Sequence, residues 1–379
     1  MQLFWLEMKK IFSWKLIFLV VLVNIIVYQL LLGFDIKYFP NGSPAGDLFK
    51  IEQQIIPKYG DEMDEAEFLD LQATYEKEVA KADAYLANDL KAVRLGLDSY
   101  EKFVSARETD NEEKNNYVSE ITFNSTEDFP WELQAYKEFI DNFENRESDL
   151  NTLIQDSSGG QKKRYEQLLE EGKFGIYSDT VIDNFQTYKT SMAIVIFLSI
   201  VILISPIFLR DVSAGVVTLQ YTSKKGRTVY RTKWLAGLVS SVLLTSVLLI
   251  LYMTIYSTNE TSSYFDLPLH AFNWVFNWYD LTFFQYIVVS VLIIFVLSVL
   301  LGVLTMAIST AISNTIELIA VQIVVIFVMI AGVAVVLVQM LMDMQLAQAF
   351  VPSVLAVFVV IVLFVMSSVW KRENRKDIV

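Results

Sequence analysis

The C-terminal part of the chain is an almost uncharged apolar stretch. Between Tyr286 and Val369 the only charged residues are Glu317 and Asp343. A helix needs about 20 apolar residues to cross the hydrocarbon core of a bilayer, so the stretch has the length for three crossings. Breaks at 309–315 and 342–352 predict spans near 286–307, 316–340 and 353–370. This pattern excludes a soluble enzyme.

Three further apolar runs precede this stretch, at 16–34, 192–209 and 234–256. The first follows Lys9, Lys10 and Lys15 and therefore looks like a secretory signal. A signal peptide has an apolar core of about 7–15 residues and then a cleavage site with small side chains. This run is longer and ends in bulky residues, so we predict an uncleaved span. The total is six transmembrane helices.

The distribution of Lys and Arg predicts how these helices are oriented. With the N-terminus in the cytoplasm, the cytoplasmic segments are 1–15, 210–233, 308–315 and 371–379, and they contain 13 Lys and Arg. The outer segments 257–285 and 341–352 contain none. Positive residues of short loops stay in the cytoplasm, so we predict that both termini are cytoplasmic. The long segment 35–190 is then outside.

Residues 35–190 contain 34 Asp and Glu against 17 Lys and Arg. Apolar side chains recur every 3.6 residues from Phe68 to Val104, which predicts a helix over 64–106, about 60 Å long if it is continuous. Further helices are predicted from Pro130, over 161–171, and from near Ser178 into span two, whereas 107–128 stays unassigned. The predicted fold class is all-α, with an elongated helical extracytoplasmic domain. Two roles stay open for it: a wall, gate or receptor surface, or a hairpin whose acidity only keeps it soluble.

Two segments beside the spans suit the membrane interface. Residues 1–14 form an amphipathic pattern that predicts a helix in the cytoplasmic headgroup layer. Its apolar face is Leu3, Phe4, Met8, Ile11 and Phe12, with Glu7, Lys9 and Lys10 largely off that face. In the outer segment 257–285, aromatic residues crowd the end nearest span four. Aromatic rings favour the headgroup level, so we predict a short interfacial or re-entrant helix there.

Residues for catalysis or metal binding are scarce. The chain has no cysteine and a single histidine, His270, which is too little for a typical zinc site. It has no G-x-x-x-x-G-K-[ST] phosphate loop and no G-x-S-x-G motif. We therefore expect no enzyme activity and no cofactor or metal in this chain. We interpret His270 as an interfacial side chain.

Three of the polar side chains within the predicted spans are candidates for a pathway or gating role. Glu317 follows Asn314 by three residues, which also fits a helix cap in which each side chain binds a backbone N–H. Asn24 and Gln29 fit either hydrogen bonds to neighbouring helices or contact with a substrate. In span three, Gly237 and Ser241 form a small-x-x-x-small pair, which favours close helix packing or dimerisation.

The segment between spans two and three, 210–233, is the most distinctive one. It begins with an acidic residue, continues with glycine, leucine and small hydroxyl residues, and ends with arginine and lysine. The residues in this order are Asp211, Gly215, Leu219, Ser223, Arg227 and Lys233. On charge alone, the segment is a turn with the positive residues of a cytoplasmic loop. The order of these residues resembles that of the loop in type 2 ABC transporter permeases. The six spans, the N-terminal helix and the outer insertion also resemble that family.

The resemblance implies a function. In that family the loop forms a coupling helix that binds a separate ATPase subunit, so ATP and Mg²⁺ would be bound by the partner. It implies coupling contacts at the six loop residues, a second contact at helix 1–14, and a second permease copy, identical or different. It further implies export of a peptide or lipid-like molecule, with antimicrobial peptides suiting the large outer domain, across a bacterial cell membrane. We expect the lipid bilayer as a partner and no nucleic acid.

The sequence departs from the family pattern at three positions. Asp211 stands where glutamate is commoner, Val216 where threonine is frequent, and the usual proline before Arg227 is missing.

Two other classes stay open. In one, the chain is a membrane-anchored receptor or interaction protein whose outer helices bind an extracellular ligand. In the other, it is an ion-coupled carrier, against which the absence of a chain of ionisable residues in the predicted spans argues. Loss of activity without loss of assembly in Glu317→Ala and Asn24→Ala would favour the carrier.

Overall fold

The computed structural model describes residues 2–108, 110–216, 226 and 228–375. Within this part of the chain, all regular secondary structure is helical. The β-type pairing recorded there consists of two isolated bridges, Tyr177 with Phe272 and Pro268 with Thr282. The predicted all-α class is confirmed.

Six helices of the described chain are long and apolar enough to cross a membrane, as predicted. They are spans one to six: Trp14–Lys37, Thr180–Ser213, Thr228–Asn259, Phe283–Ala311, Thr315–Gln339 and Phe350–Glu373. Span two begins earlier than its apolar run because the helix near Ser178 continues into it without a break, as the sequence predicts. This span is interrupted at Ser205, where Pro206 begins a second helical segment, because proline lacks the N–H that would continue the ladder. Spans one and five contain π-helical turns at Tyr28–Leu32 and Met329–Gln339.

The chain divides into two compact units. The first, the span unit, comprises Met1–Lys37, Asp183–Glu260 and Phe284–Val379. It contains the six spans and an N-terminal helix, α1 (Gln2–Ile11). The second, the inserted unit, comprises Tyr38–Ile182 and Thr261–Phe283.

Spans three and four approach closely through small residues. A Cβ atom on Gly302 of span four would overlap Ser241 of span three, and one on Gly237 would overlap Met306. The small-x-x-x-small pair therefore packs helices within this chain. Small side chains allow this because they let the helix backbones come together.

The inserted unit contains seven α-helices in the described residues. They are α2 (Ala45–Tyr59), α3 (Glu65–Asn88), α4 (Leu90–Leu95), α5 (Tyr100–Ser105), α6 (Glu112–Asn124), α7 (Phe129–Asp156) and α8 (Gly159–Glu170). Helix α7 packs against α2, α3 and α8. It is the helix predicted from Pro130, and its buried side chains include Leu133, Tyr136 and Ile140.

The single long helix predicted over 64–106 is wrong. Asp89 ends α3 and caps α4, because its carboxylate accepts the N–H groups of Lys91 at 2.7 Å and Ala92 at 3.4 Å. Gly96 then ends α4 at a φ of 70°, the left-handed conformation that glycine adopts without strain. Ala92 of α4 and Phe103 of α5 pack into the same core as Leu86 of α3. Leu90 and Val93 of α4 continue the apolar period but are exposed.

The helix predicted before span four is also wrong. The described chain forms three short 3₁₀ turns instead, at Ser257–Asn259, Thr261–Tyr264 and Leu269–Ala271. Phe272 is fully buried, and the ring of Tyr264 stacks on Phe49 of α2 at 5.7 Å. Phe272 therefore belongs to the core of the inserted unit, where it stacks on Tyr264, whereas Trp274 and Tyr279 of the same aromatic segment are exposed.

A buried carboxylate lies in the same core. Glu52 of α2 is fully buried and accepts hydrogen bonds from the Ser178 N–H at 2.5 Å and from the Tyr264 hydroxyl at 2.9 Å. Burial raises the pKa of Glu52 to about 8, although these bonds favour the ionised form. Glu52 thus joins three separate segments of the inserted unit.

Candidate functional site

The structure brings the first and the last of the six loop residues together. Asp211 lies near the end of span two and Lys233 in the first turns of span three. The Lys233 ammonium donates to the Asp211 carboxylate, and both side chains are buried. The two ends of the loop are therefore joined by an ion pair.

Helix α1 contributes to this ion pair. Lys10 donates to Asp211 Oδ1 at 3.4 Å and to Glu7 Oε1 at 2.9 Å. Burial lowers the pKa of Lys10, but the bonds and charges of Glu7 and Asp211 outweigh it, so the pKa is raised. We call Glu7, Lys10, Asp211 and Lys233 the charge cluster. It links α1 with spans two and three.

Helix α1 is also packed in place by apolar and polar contacts. Met8 and Ile11 are buried, as predicted, and the Ser240 hydroxyl of span three contacts Met8 Sδ at 3.2 Å. Arg210 of span two donates to the Lys10 carbonyl and, at 3.1 Å, to Ser13 Oγ. Glu7 is 2% exposed, so its prediction off the buried face is wrong. It lies three residues after Phe4 and four after Leu3, a spacing that could have revealed it.

Gly215 has a local structural role at the end of span two. Its φ is 66°, and the Val216 N–H donates to the Asp211 carbonyl at 3.2 Å. This is the left-handed helix ending for which glycine is preferred, and it explains why glycine follows the acidic residue by four positions. The other three predicted contacts, Leu219, Ser223 and Arg227, lie outside the described residues.

An aromatic cluster lies beside the charge cluster. Phe208, Tyr230 and Trp370 come from spans two, three and six, and Tyr230 lies 5.4 Å from Phe208 and 5.6 Å from Trp370 between ring centroids. The Lys233 ammonium lies 5.6 Å from the Phe208 ring. Aromatic faces attract cations, so this contact supports Lys233 in its buried position.

Asn24 connects three spans. Its amide donates to Ser199 Oγ of span two at 2.8 Å, and its carbonyl oxygen accepts from the Tyr252 hydroxyl of span three at 2.8 Å. These are the interhelical hydrogen bonds that were one of its two predicted roles. Both bonding groups of the side chain are thereby used.

Asn24 and Gln29 also line one cavity. It has a volume of about 530 Å³ and is bounded by apolar side chains of spans one and three, with Leu203 from span two. The size is that of pockets for small organic ligands. Tyr28 and Gln29, in the π-helical turn, supply polar groups to its wall. An apolar ligand or acyl chain fits this chemistry.

Glu317 lies apart from these groups. Asn314 caps span five, because its side-chain oxygen accepts the Ile316 N–H at 2.9 Å, as the capping prediction requires. The reciprocal bond from Glu317 is not formed in the described chain, and the side chain is exposed. Glu317 is not among the residues that line the cavity.

Sequence reasoning missed a buried lysine in span two. Lys189 is 0% exposed, and its ammonium donates to the Tyr286 hydroxyl of span four and lies 4.2 Å from that ring. No ion pair to Lys189 is recorded in the described chain. The signal was present, because Phe185, Lys189 and Met192 follow one helical stripe. Span two therefore contains a buried ionisable group that lies before its predicted start at residue 192.

Comparison of the chain with protein-family models, with curated proteins and with solved structures gives no match. Within the described ranges, no group of three or more His, Asp and Glu side chains is arranged to hold a metal ion.

The charge cluster connects helices to one another and offers no arrangement for catalysis among the described residues. A force on the segment between Asp211 and Lys233 reaches spans two and three at once, because the ion pair holds its ends together. Helix α1 is connected to the end of span two by Lys10 and Arg210, and to span three by the contact of Ser240 with Met8.

Proposed function

We propose that this chain is the membrane subunit of an ATP-driven ABC exporter that moves an amphipathic or hydrophobic molecule. The observation that supports it best is the charge cluster, which joins α1 to both ends of the loop that resembles a coupling segment. A separate ATPase subunit would bind at 211–233 and at α1. ATP would be hydrolysed in that partner.

The proposal includes a path for the force. Closure of the ATPase pushes on the loop, and the Asp211–Lys233 pair transmits this push to spans two and three as one body. Span one follows through Asn24, which is hydrogen-bonded to both. The cavity beside Asn24 changes shape as these spans tilt. The apolar wall of that cavity supports a peptide or lipid-like cargo.

The proposal needs both termini in the cytoplasm and the inserted unit outside. Since the chain has no cysteine, single cysteines report their side of the membrane without background. Glu166→Cys in the exposed face of α8 should react with a membrane-impermeant maleimide in intact cells. Arg375→Cys should react only after the cells are permeabilised. The reverse pattern would contradict the orientation.

The decisive experiment is gentle detergent extraction from the native host, affinity capture of this chain and mass spectrometry of its partners. We expect a stoichiometric protein with a phosphate-binding loop. Arg227→Glu should reduce its recovery, whereas Glu166→Gln should not. Recovery of the chain alone, or with partners that lack such a loop, would favour a receptor or scaffold.

Gly215→Leu tests the same contact with an internal control. Leucine is strained at a φ of 66°, whereas asparagine tolerates the left-handed conformation. Gly215→Leu should therefore lose the ATPase and Gly215→Asn should retain it. Equal recovery with both variants would contradict the placement of the coupling contact.

A further inference from the structure

The inserted unit contains a polar cavity that plays no part in the proposed transport. Its volume is about 310 Å³, and its wall is formed by the turn before α3, by α7, by residues 172–176 and by His270. The charged side chains of the wall are Asp61, Glu62, Asp64, Arg146 and Lys173. The volume is at the lower end of the range of small-molecule pockets.

His270 is the buried polar group of this cavity. It is only 9% exposed, and within the described chain no hydrogen bond to its imidazole is recorded. Buried polar groups are normally hydrogen-bonded, so an imidazole facing a cavity without a partner indicates that a ligand or solvent completes it. Burial, and then the nearby charge of Lys173, lower the pKa of His270 to about 4. The ring is therefore neutral at pH 7 and offers one donor and one acceptor.

The two cations of the wall are already neutralised. Arg146 donates to Glu65 at 3.3 Å and lies 3.6 Å from the centroid of the Phe143 ring. Lys173 pairs with Glu171 at 2.7 Å and lies 3.7 Å from Asp280. All three carboxylates lie outside the cavity wall.

Two of the acids are free to receive a cation. Asp64 caps α3, where its carboxylate accepts the Glu67 N–H at 2.8 Å. Asp61 and Glu62 are exposed, and no bond or ion pair to either is recorded among the described residues. Asp61 is also close enough to act on the charge state of His270. The cavity thus presents two unpaired carboxylates next to an unpaired neutral imidazole.

We propose that this cavity binds the ammonium group of an organic cation, with Asp61 and Glu62 supplying the charge and the imidazole of His270 accepting one N–H. A carboxylate pair matches the three donors of an ammonium, and such charge-assisted bonds are the strong ones. The ammonium belongs either to a lysine side chain of a peptide or to a small free amine. The site does not depend on an ATPase partner.

Ligand-observed NMR with the detergent-solubilised full chain at pH 7 tests the proposal. The probes are the blocked tripeptide acetyl-Ala-Lys-Ala-amide, its neutral analogue acetyl-Ala-Ala-Ala-amide, and spermidine as a free amine. We expect the lysine peptide or spermidine to bind and the neutral peptide not to bind. Preference between the two cations distinguishes a peptide from a free amine.

Two variants and one control place the binding at this cavity. Asp61→Asn with Glu62→Gln should weaken binding about tenfold or more, which corresponds to the loss of one charge-assisted hydrogen bond. His270→Phe, which removes the imidazole nitrogen that accepts the N–H, should also weaken it. Glu166→Gln, an exposed carboxylate on α8, should leave it unchanged. Unchanged binding in the Asp61/Glu62 variant, equal binding of the neutral peptide, or no binding of either cation would overturn the proposal, while the ATPase capture stands or fails separately.

Discussion

The ammonium of Lys233 and the carboxylate of Asp211 form a buried ion pair between residues 22 positions apart. It closes the loop between spans two and three, and Lys10 of α1 adds a second cation to the same carboxylate. Removing one partner of a buried pair leaves an uncompensated charge, which costs far more than the pair contributes. The cluster therefore predicts unequal effects for its two central residues.

Asp211→Asn should lower stability more than Lys233→Met. Asp211→Asn leaves Lys233 buried without a counter-charge, which costs about 3–5 kcal/mol. In Lys233→Met the carboxylate keeps Lys10, so the loss is smaller. The thermal midpoint of the solubilised chain measures both. Asp98→Asn, in a solvent-exposed pair with Lys102, should change stability little. A larger loss in Lys233→Met than in Asp211→Asn would contradict the geometry.

The contact between spans three and four predicts a steric effect. Gly302→Ala forces a Cβ into Ser241 and should destabilise the chain by about 1–3 kcal/mol. Adding Ser241→Gly should restore most of the loss, because the overlapping side chain is removed. Gly332→Ala in span five is the matched control, since a Cβ there meets nothing within 4 Å. The thermal midpoints of the wild type, the two single variants and the double variant test this. If Ser241→Gly did not restore stability, the close packing of spans three and four at Gly302 would be contradicted.

Substitution of the two amide side chains of span one, Asn24 and Gln29, should affect stability to different extents. Asn24→Leu breaks hydrogen bonds to Ser199 and Tyr252 and should cost about 1–2 kcal/mol. Gln29→Leu should cost little, since no hydrogen bond to Gln29 is recorded in the described chain and its side chain is exposed. The same thermal assay compares them. Equal losses would mean that the Asn24 bonds do not join the spans.

The contact between Lys189 and Tyr286 predicts that substitutions of these two residues change stability in opposite directions. Lys189→Met replaces a fully buried charge with an apolar chain of similar length and should preserve or raise the thermal midpoint. Tyr286→Phe removes the hydroxyl that accepts from the ammonium and should cost about 1–3 kcal/mol. A loss of stability in Lys189→Met as large as that in Tyr286→Phe would show that the lysine is kept for packing.

Glu52 predicts a pH dependence of stability. Burial raises its pKa from 4.5 to about 8, so between these values the folded chain holds a proton that the unfolded chain has lost. The contribution of Glu52 to stability is therefore largest below pH 4.5 and is lost as the pH rises towards 8, with a slope of at most about 1.4 kcal/mol per pH unit. Burial of His270 lowers its pKa from 6.5 to about 4, so it removes stability as the pH falls through that window.

The effects of Glu52 and His270 on stability can be distinguished above pH 6.5, because only Glu52 titrates there. The thermal midpoint of the wild type should fall between pH 6.5 and pH 8, and that of Glu52→Gln should fall much less. Glu166→Gln, an exposed carboxylate, should behave like the wild type. An equal decline of the thermal midpoint in Glu52→Gln would contradict the assignment of this pH dependence to Glu52.

The sequence predicted those features that depend on neighbouring residues. The six spans follow from apolar length, and the start of α7 near Pro130 and the Asn314 cap follow from local backbone chemistry. It failed over 64–106, where apolar periodicity persists through two helix ends at Asp89 and Gly96. An apolar period does not report whether the helix is continuous, and beyond the first break it placed the exposed Leu90 and Val93 on the buried face.

By itself, the sequence determined an all-helical chain with six apolar spans and a large acidic insertion, because hydrophobic length and helix period are local properties. Only the tertiary structure decided which polar groups meet. Lys10 and Asp211 are 201 positions apart, Lys189 and Tyr286 are 97 apart, and His270 meets the wall formed by 61–64 and 172–176. Such pairs arise when packed helices exclude water from side chains that have no other partner, and no local pattern encodes that encounter.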